Sequence, residues 1–494
     1  MADATAEDRL DPFVIKVGLV VALGTIMSIL DATIVSVAID SLSKSFHVTV
    51  STIQWVTTGY LLALAIVIPV TGWGIHRIGS KNLYMISITL FLIGSVMCGL
   101  AWSATSLIVF RIFQGLGGGM ILPVGQTIVA RVAGPQRMGR VMGLIGIPSV
   151  LGPILGPVIG GAIVTHYSWR WIFFVNVPIC LVALYATMRV FPRSERDKTH
   201  RFDLPGFLLL SPGLALIIYG LSQIGTTGGF SGASVRLTMF GGLALCAAFI
   251  IHALRAQEPL LDLRLFKGRN FSVASTVIFL IGATLYGTIF LLPLYYQVVR
   301  GESALIAGLM MAPQGIGAGL VMKWAGGYTD RHGPRTLIPI GAMICAIGTF
   351  AYTQVTGTTS YWFLAVALFV RGVGIGMTFS PVSAASYRGL SHHELPRATT
   401  VVNIMRQIGG SLGVAIFAVV LQHQLAGKFP HAAGSIGSIP KHIPLEVRNR
   451  LAEAFSATFW WSFATSLLVV IPTLFLEKGR IADQVEALVA QAED

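Results

Sequence analysis

The sequence predicts an all-α polytopic membrane protein in which fourteen transmembrane helices form two related, pseudo-symmetric six-helix bundles and an inserted pair. Three observations predict this fold. Apolar runs long enough to cross a bilayer recur along nearly the whole chain, basic residues concentrate in the loops of one side, and motifs of the first half return in the second. The composition agrees, because 54% of the 494 residues are hydrophobic and 11% are charged, which is too apolar for soluble domains.

Each apolar run of about 20 residues predicts one membrane-spanning helix. Span 1 follows Asp11 and Pro12, a pair typical of a helix start because the carboxylate caps free backbone donors and proline tolerates the first helical position. The predicted spans are about 13–39, 53–73, 82–101, 106–131, 139–165, 171–190, 204–223, 236–255, 271–298, 304–325, 336–355, 361–385, 400–424 and 457–476.

The spans divide the chain into four parts. Spans 1 to 6 form an N-terminal bundle at 1–198, spans 7 and 8 an inserted pair at 199–262, and spans 9 to 14 a C-terminal bundle at 263–477. The tail at 478–494 carries apolar residues at helical spacing, which fits either a short surface helix or a frayed end. The first ten residues lack the basic region of a cleaved signal, so we expect span 1 to remain as an anchor.

Basic residues predict the topology. An even number of spans places both termini on one side, and the loops of that side carry most of the loop lysines and arginines. The short loops opposite hold little more than Lys44, Arg170, Arg236 and Arg300. The positive-inside rule therefore predicts a multi-pass protein with cytoplasmic termini and an external loop at about 425–454. The formal charge of +13 reflects this bias and does not indicate nucleic-acid binding.

An internal repeat relates the two halves. GWGIHRIGSK at 72–81 aligns with GGYTDRHGPR at 326–335, and QGLGGGM at 114–120 aligns with RGVGIGM at 371–377, at offsets of 254 and 257 residues. Nearly equal offsets are hard to obtain by chance. Two related halves around a midplane cavity are the usual plan of a secondary transporter that works by rocking.

Some charged residues lie well inside predicted spans, where a central charge costs at least about 2.5 to 3.5 kcal/mol, and two of them form a possible pair. Asp31 in span 1 and Arg111 in span 4 lie at matching depths, so they can form an ion pair if both face the cavity. The pair fits two hypotheses. Either it is a proton switch, in which Asp31 takes a proton when the pair breaks, or it is a permanent structural pair.

Further polar side chains lie within the spans. Arg371 and Arg406 are buried cations, and Lys323 is expected to snorkel to the interface. Arg371 fits two roles equally, shaping an anionic substrate site or holding backbone carbonyls. Candidates for the cavity lining, with packing or lipid contact as the alternative for each, are Gln126, Tyr286, Phe290, Tyr295, Gln297, Gln314, Phe379 and Asn403. Tyr286 stands at the repeat position of Asp31.

Span 5 carries a stripe of glycines and prolines. Small residues let another helix backbone approach closely, and neighbouring helices can satisfy the backbone groups that proline frees. We therefore expect a kinked packing seam between the two halves, with Gly315 and Gly319 of span 10 as its partner. The seam residues are Gly152, Pro153, Gly156, Pro157, Gly160 and Gly161.

The two repeated loop motifs combine a glycine, a charge pair and a second basic residue in a tight turn. Such a turn can latch neighbouring helix ends through charge and helix-dipole contacts, and a plain hairpin loop is the alternative. The latch residues are Gly72, Arg77 and Gly79 in the first half and Asp330, Arg331 and Gly333 in the second.

Motifs of enzymes, cofactors and metal sites are lacking in the sequence. GLGGGM at 115–120 follows no strand, and no P-loop lysine motif occurs, so we expect neither an enzyme nor an ATPase. Cys98, Cys180, Cys246 and Cys345 lie singly in separate apolar segments, which predicts buried thiols without disulfides or metal. Transport must then draw on an ion gradient or on the substrate's own gradient.

In its motifs the chain resembles the fourteen-span drug:proton antiporters of the major facilitator superfamily. LDATIVSVAID at 30–40 is similar to the family's span 1 motif LDxTIVNVALP, and 72–81 to its loop motif GxLADRxGRK. RIFQGLG at 111–117 matches RxxQGxG, and GPILGPVIGG at 152–161 matches the antiporter motif GxxxGPxxGG. WRWIFFVNVP at 169–178 is similar to the start of span 6 in the family.

The resemblance implies a major facilitator fold and a drug-resistance exporter of the plasma membrane that moves small amphipathic compounds against protons by alternating access. The motifs depart from the family at His76, which replaces the loop aspartate and implies a weaker or pH-sensitive first latch. Ser36 and Asp40 replace the family's Asn and Pro. An exporter of lipids or cell-envelope metabolites on the same scaffold is the alternative, and a membrane sensor without a transport cycle is a third.

Overall fold

Fourteen helices are long and apolar enough to span a membrane in the computed structural model, which describes residues 11–192, 201–227, 232–429 and 444–477. They are α1 (Pro12–Phe46), α2 (Ser51–Ile78), α3 (Ser80–Gly99), α4 (Ala104–Ala133), α5 (Met138–His166), α6 (Trp171–Val190), α7 (Leu204–Ile224), α8 (Ala233–Arg255), α9 (Arg269–Val299), α10 (Ala304–His332), α11 (Leu337–Gln354), α12 (Tyr361–Ser386), α13 (Leu395–Lys428) and α14 (Leu445–Thr473). The described ranges contain no β-strand, and the predicted fold class and span count are confirmed. The predicted tail at 478–494 and the boundary at 198 lie outside these ranges.

The two halves pack in the same pattern. In the first half α1 lies along α5, α4 packs between α2 and α3, and α6 contacts α1 and α3. In the second half α9 lies along α13, α12 packs between α10 and α11, and α14 contacts α9 and α11. Each contact therefore recurs eight helices later, as expected from the sequence repeat.

The inserted helices α7 and α8 lie beside this pair of bundles. α7 packs against α2 of the first half and α13 of the second, whereas α8 packs mainly against α7. Ser211 of α7 donates a hydrogen bond to the carbonyl of Ile66 at 2.9 Å, and the rings of Trp55 and Tyr219 stack at 5.5 Å. α7 therefore bridges the two halves along one side of the molecule.

Several predicted helix ends were wrong because hydropathy falls at charged residues before the helix itself ends. α13 continues to Lys428 and α14 begins at Leu445, so the described parts of the predicted loop at 425–454 are mostly helical. The repeated loop motifs likewise occupy the last turns of α2 and α10. Gly79 and Gly333 end these helices with φ of 91° and 81°, a region that favours glycine.

The glycine stripe of α5 packs against α1 of its own half. A Cβ added at Gly156 would lie 2.0 Å from the hydroxyl oxygen of Thr33, and one at Gly152 would lie 2.4 Å from Ile29. Gly160 is similarly crowded by α1. The prediction that this stripe forms the seam between the two halves was wrong, because α5 presents Gly152, Gly156 and Gly160 to α1 and a different face to α10.

The seam between the halves is made mainly by other residues of α5 and α10. A Cβ added at Gly139 would lie 2.5 Å from the carbonyl oxygen of Gly326, so the two backbones touch at this end. Of the predicted partner glycines, Gly315 faces Ile154, and Gly319 has nothing within 4 Å of an added Cβ. The close approach therefore lies on the side of the chain termini.

Candidate functional site

Asp31 and Arg111 form a completely buried ion pair inside the N-terminal bundle. Asp31 Oδ2 lies 2.5 Å from Arg111 Nη1, and both side chains are 0% exposed. Gln114 Nε2 and Asn176 Nδ2 donate to Asp31 Oδ1 at 3.0 and 2.9 Å. The ring of Tyr60 lies 4.1 Å from the guanidinium carbon. Because both oxygens are hydrogen-bonded and the charge is balanced, the ionised carboxylate is tolerated at this depth.

The sequence predicted this pair but missed its polar partners. Gln114 lies three residues after Arg111, about one helical turn away, and it also accepts from Arg111 Nη1 at 2.8 Å. That spacing was a usable signal. Asn176 lies 145 positions after Asp31 in the sequence, so spacing gave no signal for this contact. The available signal was an amide side chain within an otherwise apolar span.

A central cavity of about 170 Å³ lies between the two halves. Its walls come from α1, α2, α4, α5, α9, α12 and α13, and most of its lining is aliphatic. Ser28 and Ala32 of α1 line the cavity, whereas Asp31 does not. The sequence analysis made the ion pair conditional on both side chains facing the cavity, and the structure shows that the pair forms without meeting that condition. Asp31 lies on the inner face of α1, behind the cavity wall.

Three of the predicted cavity residues line this space, namely Tyr286, Phe379 and Asn403. Gln126 instead accepts a hydrogen bond from Asn403 at 2.7 Å and so joins α4 to α13. Arg406 also lines the cavity, and its guanidinium carbon lies 5.0 Å from the centre of the Phe379 ring. The sequence identified Arg406 only as a buried cation and assigned it no role.

The remaining aromatic and amide candidates lie away from the cavity. Phe290 and Tyr295 pack in the apolar core at the far end of the second half. Gln297 is exposed. These predictions were wrong because α9 is apolar on all sides, so its sequence does not show which face points inward.

Arg371 lies inside the C-terminal bundle and not at the central cavity. Its guanidinium donates to Gln314, to the hydroxyl of Thr349 at 3.3 Å and to the carbonyl of Thr284 at 3.4 Å. These are neutral acceptors. Of the two roles left open by the sequence, the structure favours the holding of polar acceptors within the bundle. Gln314 is likewise occupied there and does not line the central cavity.

Polar contacts close the cavity on the side of the chain termini. The hydroxyls of Thr127 and Thr399 lie 2.7 Å apart, and those of Thr71 and Thr400 lie 2.9 Å apart. Each pair joins the first half to α13. Together with the amide pair described above, they form a polar seal between the halves.

The second loop motif joins the halves at the same end. Asp330 accepts hydrogen bonds from the backbone N–H groups of Gly139 and Arg140 at 2.7 and 3.2 Å, and from Arg140 Nε at 2.9 Å. The carboxylate thus caps the positive end of α5. His76, at the equivalent position of the first half, lines a small pocket together with Arg397 of α13.

Two pseudo-symmetric bundles around a central cavity, sealed at one end, define a membrane transporter of the secondary type. A family model of the Major Facilitator Superfamily matches residues 21–414. The chain belongs to this superfamily, and it is a multi-pass membrane transporter and not an enzyme.

Relatives match over most of the chain. The "Multidrug resistance protein B homolog" of Mycobacterium tuberculosis (strain ATCC 25618 / H37Rv) is 37% identical, with 95% of this chain and 91% of the relative covered. The "Putative multidrug resistance protein MdtD" of Serratia proteamaculans is 31% identical, with 83% and 85% covered. The solved structure of the proton:xylose symporter XylE is similar at a TM-score of 0.64 and 16% identity, covering 95% of this chain and 97% of that one. At this identity the likeness to XylE supports the fold alone.

Proposed function

We propose that this protein is a proton-coupled multidrug antiporter, which exports amphipathic compounds across the plasma membrane by alternating access, with both termini in the cytoplasm. The observation that carries the proposal is the completely buried pair of Asp31 and Arg111 behind the wall of the central cavity. The names of the relatives support a role in multidrug resistance.

The pair has two stable states in a medium of low dielectric constant. Paired with Arg111, the carboxylate of Asp31 is ionised and satisfied. Separated from Arg111, the same carboxylate would be a buried charge without a partner, and protonation removes that cost. Proton uptake is therefore linked to the distance between α1 and α4.

The same helix links this pair to the cavity. α1 presents Asp31 to the bundle interior and presents Ser28 and Ala32 to the cavity, so a ligand that displaces α1 also strains the pair. α5 supports α1 along the glycine stripe. A small shift of α1 can therefore couple cargo binding to protonation without direct contact between the cargo and Asp31.

Alternating access requires the contacts between the halves on the side of the termini to break. The polar contacts at this end include the threonine pairs, the amide pair, the hydrogen bond from the Ser380 hydroxyl to the carbonyl of Gly139 and the cap by Asp330 on α5. Each is a hydrogen bond that water can replace. A rocking motion that opens this end must exchange these hydrogen bonds for water and also separate the backbones of α5 and α10 at Gly139 and Gly326.

The test replaces Asp31 by Asn, which preserves the shape of the side chain but cannot ionise. In reconstituted vesicles with an imposed pH gradient, we expect pH-driven accumulation of N-phenyl-1-naphthylamine, a neutral amphipathic probe, to fall to the level of protein-free vesicles. Exchange of the probe down its own gradient should persist.

The matched control is Asp40→Asn in the same helix. Among the described residues Asp40 forms an ion pair with Lys44 alone, and its side chain is 74% exposed, so we expect this variant to accumulate the probe as the wild type does. Undiminished pH-driven accumulation by Asp31→Asn would remove Asp31 from the coupling mechanism.

A further inference from the structure

We propose that the central cavity selects amphipathic anions over amphipathic cations and that Arg406 binds the anionic group. The selection concerns the cavity of the proposed transport function and rests on that function. Arg406 would act as a specificity-determining residue in the second half of the molecule.

The charge of the cavity lining is the first observation. Of the described residues that line the cavity, Arg406 is the only one with a full charge. The nearby acid, Asp31, lies behind the wall and is already neutralised by Arg111. The cavity therefore presents one net positive charge to whatever enters it.

The contacts of Arg406 are the second observation. Its side chain is buried, with 8% of the residue exposed, and it stacks on Phe379 at 5.0 Å. In the part of the chain that the structure describes, no carboxylate or hydrogen-bond acceptor binds its guanidinium, in contrast to Arg371, whose donors are held by three neutral acceptors. A buried cation without a counter-ion is costly. A bound anion would remove that cost.

The chemistry of the guanidinium defines the anion. Its planar fork of N–H donors matches the oxygens of a carboxylate or sulfonate, and charge-assisted bonds of this kind are among the strongest in proteins. A cation in the same space would meet the charge of Arg406 and no acid among the described lining residues, so it would be repelled.

The remaining walls define the body of the ligand. Leu61, Ile281, Leu285 and Val382 are among the aliphatic side chains that line the cavity, and Tyr286 adds an aromatic ring. The volume of about 170 Å³ is slightly above the roughly 150 Å³ of a cavity that binds benzene. The cavity therefore suits a compact aromatic body that carries one anionic group.

The experiment uses three probes with one aromatic skeleton. They are benzenesulfonate, the neutral methyl phenyl sulfone, and phenyltrimethylammonium, each of which has a single benzene ring. Binding to the full chain in lipid nanodiscs is measured and corrected with empty nanodiscs. We expect the wild type to bind the sulfonate about tenfold or more tightly than the cation.

Arg406→Gln should remove this preference. We expect its affinity for the sulfonate to fall about tenfold or more, while its affinity for the neutral probe changes less than about twofold. Arg406→Lys keeps the positive charge and should keep part of the preference for the sulfonate over the cation. This variant tests the proposal if Arg406→Gln fails to fold. Lys323→Gln is the control, because Lys323 is an exposed cation of α10 that does not line the cavity.

Two results would overturn the proposal. One is equal affinity of the wild type for the sulfonate and the cation, and the other is an unchanged affinity ratio in a folded Arg406→Gln protein. The pH-driven transport of N-phenyl-1-naphthylamine separates this proposal from the function on which it rests. If the protein shows pH-driven transport but no preference for anions, only the proposed anion selection by Arg406 is overturned. If it prefers anions but shows no pH-driven transport, only the proposed proton-coupled antiport is overturned.

Discussion

The two halves of the molecule differ in how their buried arginines are neutralised, although their helices pack in the same pattern. In the first half Arg111 is neutralised by Asp31. In the second half, within the described residues, Arg371 is held by neutral acceptors and Arg406 faces the cavity, while Tyr286 occupies the repeat position of Asp31. The repeated fold thus does not itself require a buried acid. This contrast supports a division of roles, with the proton handled in the first half and the charge of the cargo in the second.

The largest effect is expected for Arg111→Met. This change leaves the carboxylate of Asp31 buried without its counter-charge, at a cost of about 3 to 5 kcal/mol. We expect a marked loss of folded protein in detergent and a lower melting temperature. Adding Asp31→Asn should restore much of the loss, because it removes the stranded charge.

Arg371→Met is the comparison variant in the second half. It removes a cation that has no described acid partner and leaves only neutral acceptors unsatisfied, so we expect a smaller loss of about 1 to 3 kcal/mol. Equal losses in melting temperature for the two arginine variants would contradict the proposed difference between the halves.

The next effect concerns the closest helix crossings. A Cβ at Gly156 would lie 2.0 Å from Thr33, and one at Gly413 would lie 2.1 Å from the carbonyl oxygen of Ala283 in the corresponding crossing of α9 and α13. We expect Gly156→Ala and Gly413→Ala to destabilise the protein by a similar amount, about 1 to 3 kcal/mol.

Only the first of these variants should also shift the pH dependence of transport, because only α1 carries the proton site. Transport of N-phenyl-1-naphthylamine measured across a series of pH values tests this expectation. Gly319→Ala is the control, since nothing lies within 4 Å of a Cβ added there. An equal shift of the pH dependence of transport in Gly156→Ala and Gly413→Ala would contradict the proposal that the proton site lies in the first half.

The smallest effect is expected at the two loop motifs. Asp330→Asn weakens the cap on α5 but keeps an acceptor for the backbone, so we expect a loss of about 1 kcal/mol and about a fivefold rise in the population open on the side of the termini. Labelling of a cysteine introduced at Val382, which lines the cavity, by an impermeant maleimide from that side measures the population in a protein without its native cysteines.

His76→Gln provides the comparison at the first motif. Histidine replaces the acid there, so we expect a smaller change in labelling than for Asp330→Asn. An unchanged labelling rate in Asp330→Asn would show that the cap on α5 does not hold the two halves together.

The particular errors of the sequence analysis have one origin. Asp31, Arg111 and Arg406 were recognised as buried charges because any charge in a long apolar run is conspicuous. The sequence did not show which way these side chains point. It also did not show which helix packs against the glycine stripe or that Gln297 is exposed. Helices that are apolar on all sides carry little periodic signal, so the rotation of each helix about its axis cannot be read from its sequence.

The sequence by itself determined the number of helices, their division into two repeated halves and the presence of a buried acid and base at one depth. These follow from local physics, since the thickness of the bilayer sets the length of an apolar run and an ionised group in lipid needs a partner. Only the tertiary structure decided that Asp31 lies behind the cavity wall, that Asn176 completes its hydrogen bonds and that Arg406 faces the cavity. Those facts depend on contacts between helices distant in the chain, which packing alone selects.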